Sequence, residues 1–164
     1  MKKISAVLLL AVLLAGCGAP KDFETMSDTY EIPRSAVVQQ PVMYMPEEAA
    51  LTVSSSECAG SLYLCDGYTV AVQTLEAGNL NATLRAVTGY SGEELLVMQR
   101  FENPVRYECA WAAAGEGGDQ VGRTVILDDG SYHYTLTLMC GAELAGELAQ
   151  TWQEILNSFT LSQT

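Results

Sequence analysis

A single histidine, His133, limits the nucleophilic chemistry open to this sequence. Any serine or cysteine mechanism that relays a proton through imidazole must use it. No GxSxG elbow, HExxH motif or phosphate-binding loop accompanies it. The residues around His133 alternate as in a strand, which places it opposite Ile126 as a hydrogen-bonded or exposed strand histidine. Glu116 with Asp119, and Asp128 with Asp129, supply oxygen ligands of the kind calcium takes, in two separate loops. Their spacing is not that of an EF-hand, and Asp128 and Asp129 read more simply as turn formers. Tyr63, Tyr68 and Tyr90 combine contact area with a polar tip and form a candidate binding patch, with core placement as the competing expectation. No catalytic residue, metal or cofactor is assigned.

The composition narrows the partner. Among 164 residues, twenty acidic against eight basic side chains give a net charge of −12, which argues against nucleic acid as a ligand. With 49% hydrophobic and 17% charged residues, the chain has globular composition and enough apolar material for one domain's core.

The N-terminus reads as an address. Lys2 and Lys3 precede an apolar run from Ile4 to Leu14 broken only by Ser5, followed by Ala15 and Gly16. At about 1.5 Å per residue this run covers roughly half of the hydrocarbon thickness, too little for a stable span. Leu14, Ala15, Gly16 and Cys17 resemble the lipobox of bacterial lipoproteins. The resemblance implies removal of residues 1–16 and a diacylglyceryl thioether on Cys17, whose two chains suffice for stable membrane anchoring. Losing Lys2 and Lys3 leaves six basic against twenty acidic residues, a charge of −14 before the termini are counted. Anionic headgroups would repel such a body, so it should stand off the bilayer. Residues 17–46, with Pro20, Pro33, Pro41 and Pro46, read as an extended spacer whose Val42–Met45 end docks on the domain. Residues 47–164 form the single globular domain.

Export leaves Cys58, Cys65, Cys109 and Cys140 in an oxidising compartment. Cys58 and Cys65 flank a Gly-containing segment that can fold back on itself, and this pair is the favoured disulfide. In a simple meander Cys109 and Cys140 stand two strand spacings apart, about 9 to 10 Å, and remain separate buried thiols.

The elements that position these residues follow from periodicity. Strands are expected over 69–74, 82–88, 95–101, 105–113, 121–127 and 132–140. Ser91 with Glu94 also spells a capping box, which competes with strand in the third of these. Asp129-Gly130 supplies a type I′ hairpin with Leu127 facing Tyr132 and Val125 facing Tyr134. That puts Leu136, Leu138 and Cys140 on a core face, and Ile126, His133, Thr124, Thr135, Thr137 and Met139 on the less buried side. Leu144, Leu148, Trp152, Ile155 and Phe159 repeat at helical spacing and predict a helix over 142–157 laid across the sheet. A helix before residue 68 would start at Glu47 to Leu51. The fold class is α+β, an antiparallel meander with a C-terminal helix packed on it.

The stretch Gly115 to Arg123, the hairpin at Leu127 to Tyr134, and the ending with Trp152, Ile155, Leu156, Ser158, Phe159 and Leu161 resemble uncharacterised bacterial lipoproteins. These are in turn similar to the PsbP-like fold, and the resemblance implies a central antiparallel sheet with helices on both faces. The expected role is a lipid-anchored, non-enzymatic binding or accessory domain on the extracytoplasmic side of the cell membrane. Its expected partners are the membrane, through Cys17, and an envelope protein with a basic surface. The alternative is a small envelope hydrolase or calcium-dependent enzyme using His133 or the acidic loops.

Overall fold

A computed structural model describes residues 37–55, 60–115 and 117–162. In chain order they form β1 (Gln40–Val42), β2 (Ala50–Ser55), β3 (Gly60–Cys65), β4 (Tyr68–Glu76), α1 (Leu80–Thr88), β5 (Val97–Phe101), β6 (Arg106–Ala113), β7 (Gln120–Asp128), β8 (Tyr132–Gly141), α2 (Ala145–Ser158) and β9 (Thr160–Ser162). Seven strands make one antiparallel sheet in the order β2-β3-β4-β8-β7-β6-β5, and β1 pairs with β9 in a separate ribbon. The sheet is thus two meanders, β2–β4 and β5–β8, joined where β4 pairs with β8 from Tyr68↔Cys140 to Glu76↔Tyr132. The strands β6, β7 and β8 form the simple meander expected around Cys109 and Cys140, and β4 neighbours β8 rather than β5.

The helix α1 carries the chain between the meanders, in the stretch expected as a strand over 82–88. Thr83, Val87 and Thr88 are β-branched and suggest a strand, but the ends and one face decide otherwise. Asn79 caps the helix by accepting from the Asn81 amide at 2.8 Å, and Gly89, at φ 83°, closes it with its N–H on the Arg85 carbonyl. Leu80, Thr83 and Leu84 share a face and bury it with Val105, Tyr107, Cys109 and Ile126 on the sheet. The face carrying Thr124, Ile126, His133 and Thr135, expected as the less buried one, is therefore enclosed where α1 crosses it. Ser91 and Glu94 do form their capping box, around a 3-10 turn at Gly92–Glu94, and the strand β5 starts just after it.

The other face is the larger core. Trp152, Ile155, Leu156 and Phe159 of α2 and its C-terminal edge pack on Val70, Val72, Val121, Val125, Leu136 and Leu138. Met43 and Met45 join them, and β1 pairs with β9, so residues 40–45 belong to the folded body rather than to a free spacer. Residues 47–49 form a turn leading into β2, not a helix. Arg106 anchors α2 from below: its guanidinium donates to the carbonyls of Leu156 at 2.8 Å and Phe159 at 3.2 Å, and to the Glu108 carboxylate at 2.7 Å. The Leu156 carbonyl also accepts the Phe159 N–H, and a cation is favoured at the negative end of the helix dipole.

Two Asp-Gly turns fix the hairpins. Asp66-Gly67, with Gly67 at φ 78°, makes a two-residue connection closing on Cys65↔Tyr68. At Asp129-Gly130 the connection is longer: Asp128 pairs with His133, Leu127 with Tyr134 and Val125 with Leu136. The expected pairing of Leu127 with Tyr132 is corrected by two positions, a shift that leaves every side chain on its predicted face. The longer loop is held by side chains. Asp128 accepts from the Gly130 amide at 2.8 Å, and Asp129 from the amides of Ser131 and Tyr132 at 2.9 and 2.8 Å.

Candidate functional site

His133 lies on β8 beneath α1 and is 1% exposed. Its Nδ1 is 2.6 Å from the Thr83 hydroxyl oxygen, and its Nε2 is 3.3 Å from Asp128 Oδ2. A carboxylate only accepts, so Nε2–H donates to Asp128, and Nδ1 shares the other hydrogen bond with the Thr83 hydroxyl. Hydroxyl, imidazole and carboxylate stand in the sequence of a nucleophilic relay. Thr83 is 5% exposed, however, and its hydroxyl faces the ring under the helix. With α1 docked, the three groups join α1, β7 and β8 and satisfy one another where water is excluded.

The acidic loops do not converge. Asp119 precedes β7 and Asp128 ends it, so the nine-residue strand separates them by about 30 Å at roughly 3.3 Å per residue. Glu116 lies outside the described residues. The Asp128 and Asp129 carboxylates are already committed to the loop amides, and Asp129 also accepts from the Tyr134 hydroxyl at 3.0 Å. Among the described residues no group of three or more His, Cys, Asp and Glu side chains is placed to hold a metal ion.

The tyrosines separate in the same way. Tyr68 is buried on the α2 side with its ring 6.3 Å from that of Trp152. Burial pushes its phenol well above the ordinary value, with the Cys65 thiol and Glu48 adding to the rise. Tyr63 is half-buried on that side, whereas Tyr90 leans on Trp111, 5.9 Å between ring centres, on the α1 side. The expected Tyr63, Tyr68 and Tyr90 patch is therefore not assembled.

Cys17 and Cys58 lie outside the described residues. Cys65 is a free, half-buried thiol at the end of β3, the segment expected to loop back as Cys58 and Cys65 bridged. That strand sets Cys65 about 16 Å along the chain from Gly60 at roughly 3.3 Å per residue. Cys109 and Cys140 are free and buried on opposite faces of the sheet, with β7 between their strands. Burial pushes their thiols up to about 12 and about 11.

One buried charge escaped the sequence reading. Arg123, 3% exposed, points from β7 to the α2 side and donates to the Gln153 side chain at 3.1 Å. Burial pulls its guanidinium below the ordinary value and Glu108 opposes the shift. Its position in the middle of an apolar strand was the available signal.

No protein-family model and no curated protein matches this chain. Solved structures do. LpqN of Mycobacterium tuberculosis, described as involved in cell envelope biogenesis, superposes with a TM-score of 0.50 at 11% identity, over 89% of this chain and 100% of LpqN. The PsbP protein of Synechocystis sp. PCC 6803, CyanoP, superposes with a TM-score of 0.49 at 10% identity, over 91% of this chain and 99% of the other. The likeness to LpqN shows the fold alone. With it, the antiparallel sheet flanked by α1 and α2 is the α+β sandwich that the sequence resemblance implied.

Proposed function

We propose that this chain is a lipid-anchored lipoprotein on the extracytoplasmic side of the cell envelope, acting as a non-enzymatic binding or accessory domain. The observation that carries this reading is Leu14-Ala15-Gly16-Cys17 after a basic head and an apolar run. A fold shared with an envelope protein supports the location. Among the described residues no helix is long and apolar enough to cross a membrane, which leaves the anchoring to Cys17 in this reading. The enclosure of the Thr83, His133 and Asp128 side chains supports a role in binding rather than catalysis, and the strong negative charge favours a basic protein as partner.

Mass spectrometry of the membrane-extracted protein tests the anchor. The mature chain is expected to begin at Cys17 with a diacylglyceryl thioether, and Cys17→Ser to release it from the membrane fraction. A freely diffusing product with an unmodified Cys17 would overturn the reading.

The line of hydroxyl, imidazole and carboxylate favours a second reading, a small envelope hydrolase. That reading requires α1 to move so that a substrate reaches Thr83. It predicts that His133→Ala abolishes the cellular phenotype at unchanged protein level, whereas an accessory domain that remains folded keeps it.

A further inference from the structure

Among the described residues, the α1 side of the sheet is covered over only one of the two meanders. Over β5–β8, α1 and the segment after it bury Tyr107, Cys109, Trp111 and Ile126. Over β2–β4 the same side carries Val53, Leu62, Leu64 and Ala71, continued by Met139 at the adjoining end of β8, aligned by the registers Val53↔Leu62↔Ala71 and Leu64↔Thr69↔Met139. Val53 is 51% and Leu64 47% exposed, and the other three are half-buried. A sheet face left to solvent normally turns polar, and contiguous exposed apolar surface marks a place of contact. These side chains include no charge, but the strands that bear them end among carboxylates. Glu47 and Asp66 stand in the turns that open β2 and β4, whereas Glu76 shares its side of β4 with Tyr68 and Val70, and Glu48 lies near Cys65 and Tyr68 on the α2 side. Between Arg34 and Arg85 the sequence holds no Lys or Arg at all.

We propose that this bare face of the first meander docks an amphipathic helix of a protein partner, with Lys and Arg on the polar side of that helix. The inference rests on the reading of the chain as an accessory binding domain and names its contact surface. An apolar stripe would lie on the sheet as those of α1 and α2 do, and a helix about 10 Å across spans two to three strands at about 4.8 Å spacing. Addition of a strand to the free edge is opposed by β2 itself. Its register shifts between Leu51↔Tyr63 and Val53↔Leu62, a bulge that breaks the row of edge hydrogen-bonding groups. A second copy would set the same carboxylates against each other, and an anionic lipid surface would be repelled.

The probe is a fluorescent 14-residue peptide with Leu along one helical face and Lys along the other. It is titrated by anisotropy into the full lipidated chain held in nanodiscs of zwitterionic lipid, with empty nanodiscs subtracted. Leu64→Lys and Val53→Lys should each weaken binding about tenfold, by placing a charge under the apolar stripe. Leu51→Lys is the control, because Leu51 pairs with Tyr63 and belongs to the opposite side of the same edge, and it should change affinity less than about twofold. A peptide with Glu in place of Lys should bind at least about tenfold more weakly. Equal loss from Leu64→Lys and Leu51→Lys, no loss from either, or equal binding of the Glu peptide would overturn the proposal. So would a concentration-dependent dimer that Leu64→Lys abolishes. Circular dichroism checks that the substituted chains fold, and all three substituted positions are already about half exposed. An unlipidated Cys17 would end the reading of location and leave this binding intact. Loss of the face specificity with Cys17 lipidated would end this inference alone.

Discussion

The two meanders share one sheet and meet along β4 and β8, yet their surroundings differ. At the centre of β5–β8 both sides are enclosed: β7 is buried without interruption from Val121 to Leu127, with α1 above and α2 below. In β2–β4 the α2 side is closed over β3 and β4, by α2 itself and by Met43 and Met45, while Leu51 on the edge strand β2 stays exposed. All four Arg residues of the described chain lie on α1 or the second meander, and the first carries only carboxylates. The difference separates two tasks. Burial on both faces supplies stability, and a sheet whose other half is already secure can leave an apolar face without a cover.

Trp152→Ala attacks the element common to both halves. Trp152 lies on the seam against Tyr68, and its removal should cost about 3–5 kcal/mol in chemical denaturation. The contrast itself is measured by a pair. Leu84→Ala empties the fully buried site under α1 and should cost about 2–5 kcal/mol, whereas Leu64→Ala on the bare face should stay within about 0.5 kcal/mol. Similar losses from the two would erase the distinction. Gly122→Ala sharpens it further: a methyl group there would enter the indole ring of Trp111, packed flat against β7, so a loss of about 1–3 kcal/mol is expected from the same measurement.

The smallest effect is read from the thiols. Cys109 and Cys140, one on each core face, should resist alkylation at pH 8 in the native protein and react only on unfolding, while the half-buried Cys65 reacts earlier. Protection of Cys65 until a reductant is added would instead show it bridged. The sign of the pH dependence follows. Unfolded thiols ionise near 9.0, and these two ionise near 12 and 11 when folded. Their contribution to stability is whole below about pH 9 and is lost as the pH rises towards 11 to 12.

The sequence was most legible where two independent signals agreed. The stripe from Leu144 to Phe159 predicts α2, and the alternation in β6 to β8 predicts the central strands. The expected face assignments survive the two-position correction at Asp129-Gly130 because a strand repeats every two residues. Asp66-Gly67 carries the same dipeptide and makes the tighter hairpin, closing on Cys65↔Tyr68. For α1 the β-branched content outweighed Asn79 and Gly89, which mark its two ends. The β4–β8 seam depends on pairing across 56 to 72 residues of chain, and no local pattern encodes it. The site suffered for the same reason. Thr83 meets His133 only once α1 exists, and Val53, Leu62 and Leu64 share a face only once β2 and β3 are paired.

In-cell photocrosslinking most directly tests the claim that the uncovered half of the sheet is the contact surface. A photoreactive amino acid is placed at position 64 in one strain and at position 51 in another. Position 64 should yield a discrete adduct with a basic envelope protein, and position 51, on the opposite side of the same edge, should yield none. The same adducts from both positions, or adducts from position 51 alone, would contradict it.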